Sequence, residues 1–382
     1  MGFPWNAKNF SPIGIDFGSD SLKALQVTLD DPPQIIAAAV ADIPSEARKD
    51  ADAQRRFVGE ALREMLTSGR FKGKRVVASI SAAQTYTQHL RLGRAEGEAL
   101  TQQIEAELRG RLPLDPSMLV VRHVHVGEVF ADGASRQEVI CLAAGRDYVM
   151  RNVQMVRAAG YEVVGMHCEP MAILQSFAHL FRRAEDMQRT TLFVDIGAAT
   201  TKAMISHGRD LVFAKTIQVA GDHFVRQLGE ELGVGIHEAR VMHIRQPAGR
   251  TDQGMAVIEE GQGTAAAKAW GGTAVATAPG ESGQSDEMLE TLIDELHLCI
   301  GYHASLFQDR KLDKVVFLGG ESRQTRLCQR IAQALMLPAQ LGDPLARLIR
   351  PGDANAARGV DLRQSQPGWA VPLGLCLLPT NL

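Results

Sequence analysis

The chain has 382 residues, 45% hydrophobic and 22% charged, with a formal net charge of −3. That length buries a sizeable core and favours two domains over one. The small net charge excludes a broad electrostatic pull toward nucleic acid or an anionic membrane, so small-molecule and protein partners are expected, with no nucleic acid among them. Cys141, Cys168, Cys299, Cys328 and Cys376 lie far apart, with no CxxC pair. That odd set suits buried thiols in a reducing, cytoplasmic compartment rather than disulfides or zinc. The opening MGFPWNAKNF lacks a basic region followed by an apolar core. No apolar run approaches the roughly 18 residues of a bilayer span, so any membrane attachment is expected to go through a partner.

In chain order, IGIDFGSDSLKALQVTLDD reads as strand, tight turn and strand; QIIAAAVADIP adds an extended run, and a helix follows around 53–66. RVVASIS at 75–81 reads as a buried strand. A helical pattern over 94–112 stops at Pro113, and two strand-like runs, MLVVRHVHVG and QEVICLAA, flank a turn at Asp132 and Gly133. A helix near 146–159 and the strand YEVVGM close this α/β insert. The second half repeats the opening: TTLFVDIGAATTKAMISHG and DLVFAKTIQVA read as strands around glycine-containing turns, followed by the helix GDHFVRQLGEELG. Residues 246–286, rich in Gly, Ala, Thr and Gln, are expected to form a mobile loop. A helix over 287–308, the strand KVVFLGG, a helix to Met336 and the small-residue run GWAVPLGLCLL complete the chain.

The internal repeat carries the chemistry. One constant offset aligns Asp16 with Asp195, Gly18 with Gly197, Ser21 with Thr200, Lys23 with Lys202 and Ala24 with Ala203, each set within strand, turn and strand. In such turns, Gly18, Ser19, Asp20 and Ser21, or Gly197, Ala198, Ala199, Thr200 and Thr201, can offer backbone N–H groups to phosphate oxygens. Asp16 and Asp195, at strand ends, suit Mg²⁺ held through water, and Lys23 suits the β- and γ-phosphates. One DxG hairpin alone is usually an ordinary turn, because Gly and Asp dominate turns; the spaced pair points to a ligand. Gly319, Gly320 and Glu321 follow a buried strand and open a helix, where an adenosine can lie against the backbone.

With GIDFGSDSLK, VDIGAATTK and VVFLGGESR in this order, the chain resembles the superfamily of actin, Hsp70 chaperones and sugar kinases. Within it, the opening GIDFGSDSLKAL, the segment LTQQIEAELRGRLPLD, the repeated DIGAATTK and the terminal AVPLGLCLL resemble the PilM family of type IV pilus assembly proteins, relatives of FtsA. The resemblance implies an α/β, actin-like (ribonuclease H-like) duplicated fold with two lobes around a nucleotide cleft and an FtsA/PilM-type 1C insert. It implies subdomain 1A over 1–87 and 167–189 with a helix at 368–379 returning to it, 1C over 88–166, 2A over 190–224 and 313–367, and 2B over 225–312. The implied cofactors are ATP and Mg²⁺. The implied partner is the N-terminal tail of a PilN-like inner-membrane protein, gripped between 1A and 1C, alongside other inner-membrane pilus components; the nucleotide state is expected to set the affinity for that partner.

By the same resemblance, Glu169 and Pro170 match the helix start that places a polar residue near the attacking water. A carboxylate favoured by the helix dipole is the equal alternative for Glu169. Ala198 and Ala199 replace glycines or a carboxylate of active ATPases, and Lys202 replaces an aspartate of Hsp70-like members, so binding with slow or no hydrolysis is expected. His243 stands where relatives often carry a nucleotide-facing lysine. Two alternatives remain: an FtsA-like filament former, or a small-molecule kinase with its own general base.

Overall fold

The computed structural model describes residues 9–131, 133–245, 285–353 and 356–380. Short apolar runs broken by small-residue turns become the first three strands: β1 (Ile13–Phe17), buried throughout, β2 (Ser21–Val27) and β3 (Ile35–Asp42). They form an antiparallel ladder in which Asp16 faces Lys23 and Leu22 faces Ala41. The short helix α1 (Ser45–Arg48) leads to α2 (Ala51–Ser68), which starts where the Asp50 carboxylate accepts from the N–H groups of Asp52 and Ala53. Val58, Leu62, Met65 and Leu66 turn one face of α2 into the core beneath β1, β2 and β3. β4 (Arg75–Ile80) then runs parallel to β1.

Next come β5 (Thr85–Leu92), α3 (Gly97–Leu108), β6 (Leu119–Ala131) and β7 (Ala134–Gly145). The strands form their own sheet in the order β5-β7-β6, with Leu100, Ile104 and Leu108 of α3 clustered with Leu90, Leu92, Val139 and Cys141. After them, α4 (Arg146–Ala158) leads to β8 (Glu162–Cys168) and α5 (Glu169–Ser176). β8 pairs in parallel with β4, so α4 and β8 join the first sheet instead of closing the insert as the 88–166 boundary anticipated. Local periodicity identifies β8 as a strand; only its long-range partner decides which sheet it enters.

The second half holds β9 (Thr190–Ile196), β10 (Thr201–His207), β11 (Asp210–Ile217), α6 (Gly221–Leu232), α7 (Ile236–Arg245), α8 (Ser285–Leu306), β12 (Lys314–Leu318), α9 (Thr325–Leu335) and β13 (Ala339–Leu341). Most of the expected loop 246–286 lies outside the described residues. At the end of the chain, β14 (Ala357–Arg358) pairs with β3, and α10 (Ala370–Leu377) packs on α5 and β1. The return to the first sheet therefore begins at Pro344, earlier than the 368 boundary anticipated, because Leu345 and Leu348 already pack with Leu25 and Val27.

Two compact units result: one from residues up to Thr85, Ala144–Ala178 and Pro344 onward, the other from Tyr86–Ala143 and His179–Asp343. The first sheet runs β14-β3-β2-β1-β4-β8, the second β11-β10-β9-β12-β13. Apart from β14, the two repeat one plan: three antiparallel strands, then two parallel strands beside the first of them. Among the described residues no helix is long and apolar enough to cross a membrane. None of the five cysteines forms a disulfide, and all are buried.

In the second unit the insert is tied down by polar groups. The Glu138 carboxylate, 0% exposed, lies 3.2 Å from His89 Nδ1 and accepts from Tyr302 Oη at 2.5 Å and Arg91 Nε at 3.4 Å. Burial pushes its pKa up, but the hydrogen bonds from His89 and Tyr302 and the charge of Arg91 hold it below the usual range. His89 also stacks on Phe213 of β11, with ring centroids 4.8 Å apart. Elsewhere in this unit, His207 Nε2 lies 2.9 Å from His303 Nε2, which requires one ring to donate and the other to accept. Burial, with Arg310 nearby, pushes both pKa values from 6.5 to about 4. Between those two pH values the unfolded chain binds more protons than the native one, so stability falls as pH falls through that window. Urea midpoints measured from pH 7 to 4 are expected to decline there, with the slope reduced by roughly half in His207→Asn.

Candidate functional site

Each central strand ends on a buried aspartate. Asp16, 5% exposed, closes β1 and accepts from Ser79 Oγ of β4 at 3.0 Å, while Ser79 Oγ in turn accepts from the N–H of Phe17 at 2.9 Å. The turn beyond is held by Ser21 Oγ donating to Asp20 at 3.1 Å and by the N–H of Ile43 donating to the Asp20 carbonyl at 2.7 Å. Lys23 lies opposite Asp16 on β2. Among the described residues Lys23 makes no ion pair.

In the second hairpin, Asp195, also 5% exposed, closes β9, and the N–H of Gly197 donates to the Thr200 carbonyl at 3.1 Å. The carbonyls of Gly197 and Ala198 accept from the N–H groups of Gly221 and Asp222 at 3.0 and 2.7 Å, so the turn satisfies donors that the start of α6 would otherwise leave open. Thr201 Oγ1 donates to the Val219 carbonyl at 2.6 Å. Thr200 and Thr201 are buried and Ala199 is partly exposed. A Cβ added at Gly18 would lie 2.7 Å from the Ser21 carbonyl, and one at Gly197 would lie 3.1 Å from the equivalent Thr200 carbonyl. The two turns thus close on themselves at matching places, and glycine is what permits it.

The residues after β12 complete the second unit's part of the site. Gly319 has φ +87°, and a Cβ there would lie 2.2 Å from the Ile196 carbonyl and 2.5 Å from Asp195 Oδ1. Only glycine lets this chain end pass so close to the acidic end of β9. Gly320 is exposed and opens a 3₁₀ turn that carries Glu321 ahead of α9. Glu321 does not stand alone: its Oε2 lies 2.6 Å from His243 Nε2, and Gln324 Nε2 donates to the His243 carbonyl at 2.6 Å. His243 on α7, 9% exposed, thereby binds the acidic side chain of the glycine-rich turn.

In the first unit, Glu169 is 4% exposed at the first turn of α5, where a carboxylate also suits the helix dipole. It and Asp16 both act on Tyr148, whose phenol pKa is raised by burial first and then by these two negative charges. Three expected residues of the first unit, Asp16, Ser21 and Glu169, are buried, together with Ser79, and the half-buried Tyr148 lies within their field. Sequence reading overlooked both; the one available signal was a serine within the apolar run RVVASI, since a polar side chain in a buried strand needs a partner.

The family model described as type IV pilus assembly protein PilM matches residues 14–253. The chain belongs to this family. Among solved structures, the chain is similar to the PilM-PilN type IV pilus biogenesis complex, with 18% identity, 98% of each chain covered and a TM-score of 0.72. It is also similar to the ethanolamine utilization protein EutJ from Carboxydothermus hydrogenoformans, with 13% identity, 99% of this chain and 90% of that chain covered, and a TM-score of 0.51. No curated protein sequence matches the chain. With the repeated sheet plan, these similarities establish the actin-like duplicated fold of this PilM-family chain.

The donor sets of the two hairpins differ in their fit to magnesium. Asp16, with a second buried carboxylate at Glu169 acting on the same phenol, is a negative environment that suits a hydrated dication. Asp195 has an ammonium against it, Lys202 Nζ at 3.2 Å from Oδ2, and this does not suit one. At the glycine turn, Gly319→Ala is expected to destabilise the protein by about 3 kcal/mol in urea unfolding, the upper part of the overpacking range. Gly320→Ala, which meets nothing within 4 Å, is expected to change stability by less than about 0.5 kcal/mol.

Proposed function

We propose that this PilM-family chain is a cytoplasmic, ATP-binding assembly protein of a type IV pilus or related secretion machine, docked to the inner membrane through the N-terminal tail of a PilN-like protein. The observation that carries the nucleotide half is the duplication: two hairpins, each with a buried aspartate at the strand end and a self-closing glycine turn. In this reading the amides of Gly18–Ser21 and Gly197–Thr201 bind the phosphates, Lys23 adds a point charge, and Gly319 and Gly320 lie along the adenosine. Magnesium belongs with Asp16, and Glu169 positions water. When bound, the metal supplies charge neutralisation for the phosphates. Buried Ala198 and the engaged Asp195 support binding with little turnover.

A cavity of about 250 Å³ in the first unit supports the partner half. Its apolar wall is made by Phe17, Leu22, Ile43, Val58 and Met155, and Gln54, Arg55 and Tyr148 supply polar groups. That volume is below the range of a pocket for a drug-sized ligand, and it suits one or two apolar side chains of an extended tail. Gly18 and Ser19 line the same cavity, so a phosphate bound at the first turn and a tail bound in the cavity would share walls. Such sharing is a physical route by which nucleotide sets partner affinity.

Calorimetry with ATP and magnesium, and fluorescence anisotropy with a labelled PilN-like N-terminal peptide, test the two halves separately. Asp16→Ala and Lys23→Ala are each expected to weaken ATP by about tenfold or more, the loss of one charge-assisted contact. Gln54→Trp, which fills the cavity from its half-buried rim, is expected to weaken the peptide by about tenfold or more while leaving the ATP affinity within about threefold. Unchanged ATP affinity in both hairpin variants refutes the nucleotide site, and unchanged peptide affinity in Gln54→Trp refutes the cavity.

A further inference from the structure

The two hairpins match in register but not in charge. Lys202 faces Asp195 across β10 and β9, as Lys23 faces Asp16 across β2 and β1. In the second hairpin the pair has closed into a buried ion pair, Lys202 Nζ to Asp195 Oδ2 at 3.2 Å, with side chains 10% and 8% exposed. In the first, Asp16 accepts from Ser79 Oγ, and among the described residues Lys23 makes no ion pair.

The ammonium also sits at the turn itself: a Cβ added to Gly197 would lie 3.9 Å from Lys202 Nζ. A magnesium ion would need the same carboxylate, with room for its waters, and would be repelled by a buried positive charge at contact distance. An ammonium brings three donors and one positive charge and needs no hydration shell. Removing it would leave Asp195 as an uncompensated buried charge, which is strongly unfavourable unless another cation replaces it.

We propose that Lys202 stands in for a divalent cation at the second hairpin, so that a nucleoside triphosphate is met there by a protein-borne ammonium and its binding does not depend on metal at Asp195. This rests on the nucleotide reading above for its ligand, but the cation exchange at Asp195 is a property of the protein alone. The lysine thereby sets which cation the site uses: a fixed monovalent one on this side, with any magnesium confined to Asp16.

Two measurements decide it. By calorimetry in the Asp16→Asn background, which removes the magnesium site of the first hairpin, the dissociation constant for the non-hydrolysable analogue ADPNP is expected to change by less than about threefold between excess magnesium and excess EDTA, whereas Asp16→Asn, Lys202→Met is expected to bind about tenfold or more weakly in EDTA and to recover with magnesium. Without nucleotide, electron paramagnetic resonance of free Mn²⁺ is expected to show one site more in Lys202→Met than in wild type, lost again in the double variant Asp195→Asn, Lys202→Met. An Asp16→Asn protein that loses about tenfold or more affinity in EDTA overturns the proposal. So does a Lys202→Met protein, folded by circular dichroism, that gains no Mn²⁺ site. If Lys202→Met does not fold, the Asp16→Asn comparison in EDTA decides alone. If no variant binds ADPNP, the nucleotide reading falls and the Mn²⁺ comparison alone decides the role of Lys202.

Discussion

A carboxylate buried at the end of a central strand must be met by donors or by a cation, and this chain solves that problem twice. At Asp16 the answer is a serine hydroxyl from the neighbouring parallel strand; at Asp195 it is a lysine from the antiparallel one. Around each aspartate the same sheet order is built, and after each the backbone turns on a glycine whose missing side chain lets the turn close. The glycine after β12 obeys the same constraint from the other side, since it passes within contact of the second aspartate. The geometry of both halves follows from where these charges must sit.

Much of this plan was legible in the residues. The hairpins are local: a run of apolar residues, a Gly-containing turn and a second run suffice to mark them, and their repetition at a constant offset identifies the duplication. The C-terminal helix came from the family resemblance, since the run GWAVPLGLCLL by itself reads only as small and apolar. What escaped was everything decided by partners distant in sequence. Ser79 reaches back 63 positions to Asp16, and His243 reaches 78 forward to Glu321; neither pairing leaves a trace in local pattern. Asp195 read as a metal ligand because its strand-end position allowed it, and the register that sets Lys202 against it appears only in the folded sheet. The assignment of β8 to the first sheet and the early return of the chain at Pro344 escaped for the same reason.

Polar groups help make the insert part of the larger unit. Its buried Glu138 collects a histidine and an arginine from its own sheet and a tyrosine from α8, and His89 stacks on β11. A fully satisfied buried network of this kind specifies one arrangement, since any displacement strands a charge.

In the proposed nucleotide reading both turns respond to ATP, and hydrogen exchange read residue by residue during an ATP titration with magnesium tests this most directly. The amides of Gly18–Ser21 and Gly197–Thr201 are expected to gain protection together, with a common midpoint in ATP concentration. Protection confined to one turn, or absent from both at saturating ATP, would contradict it.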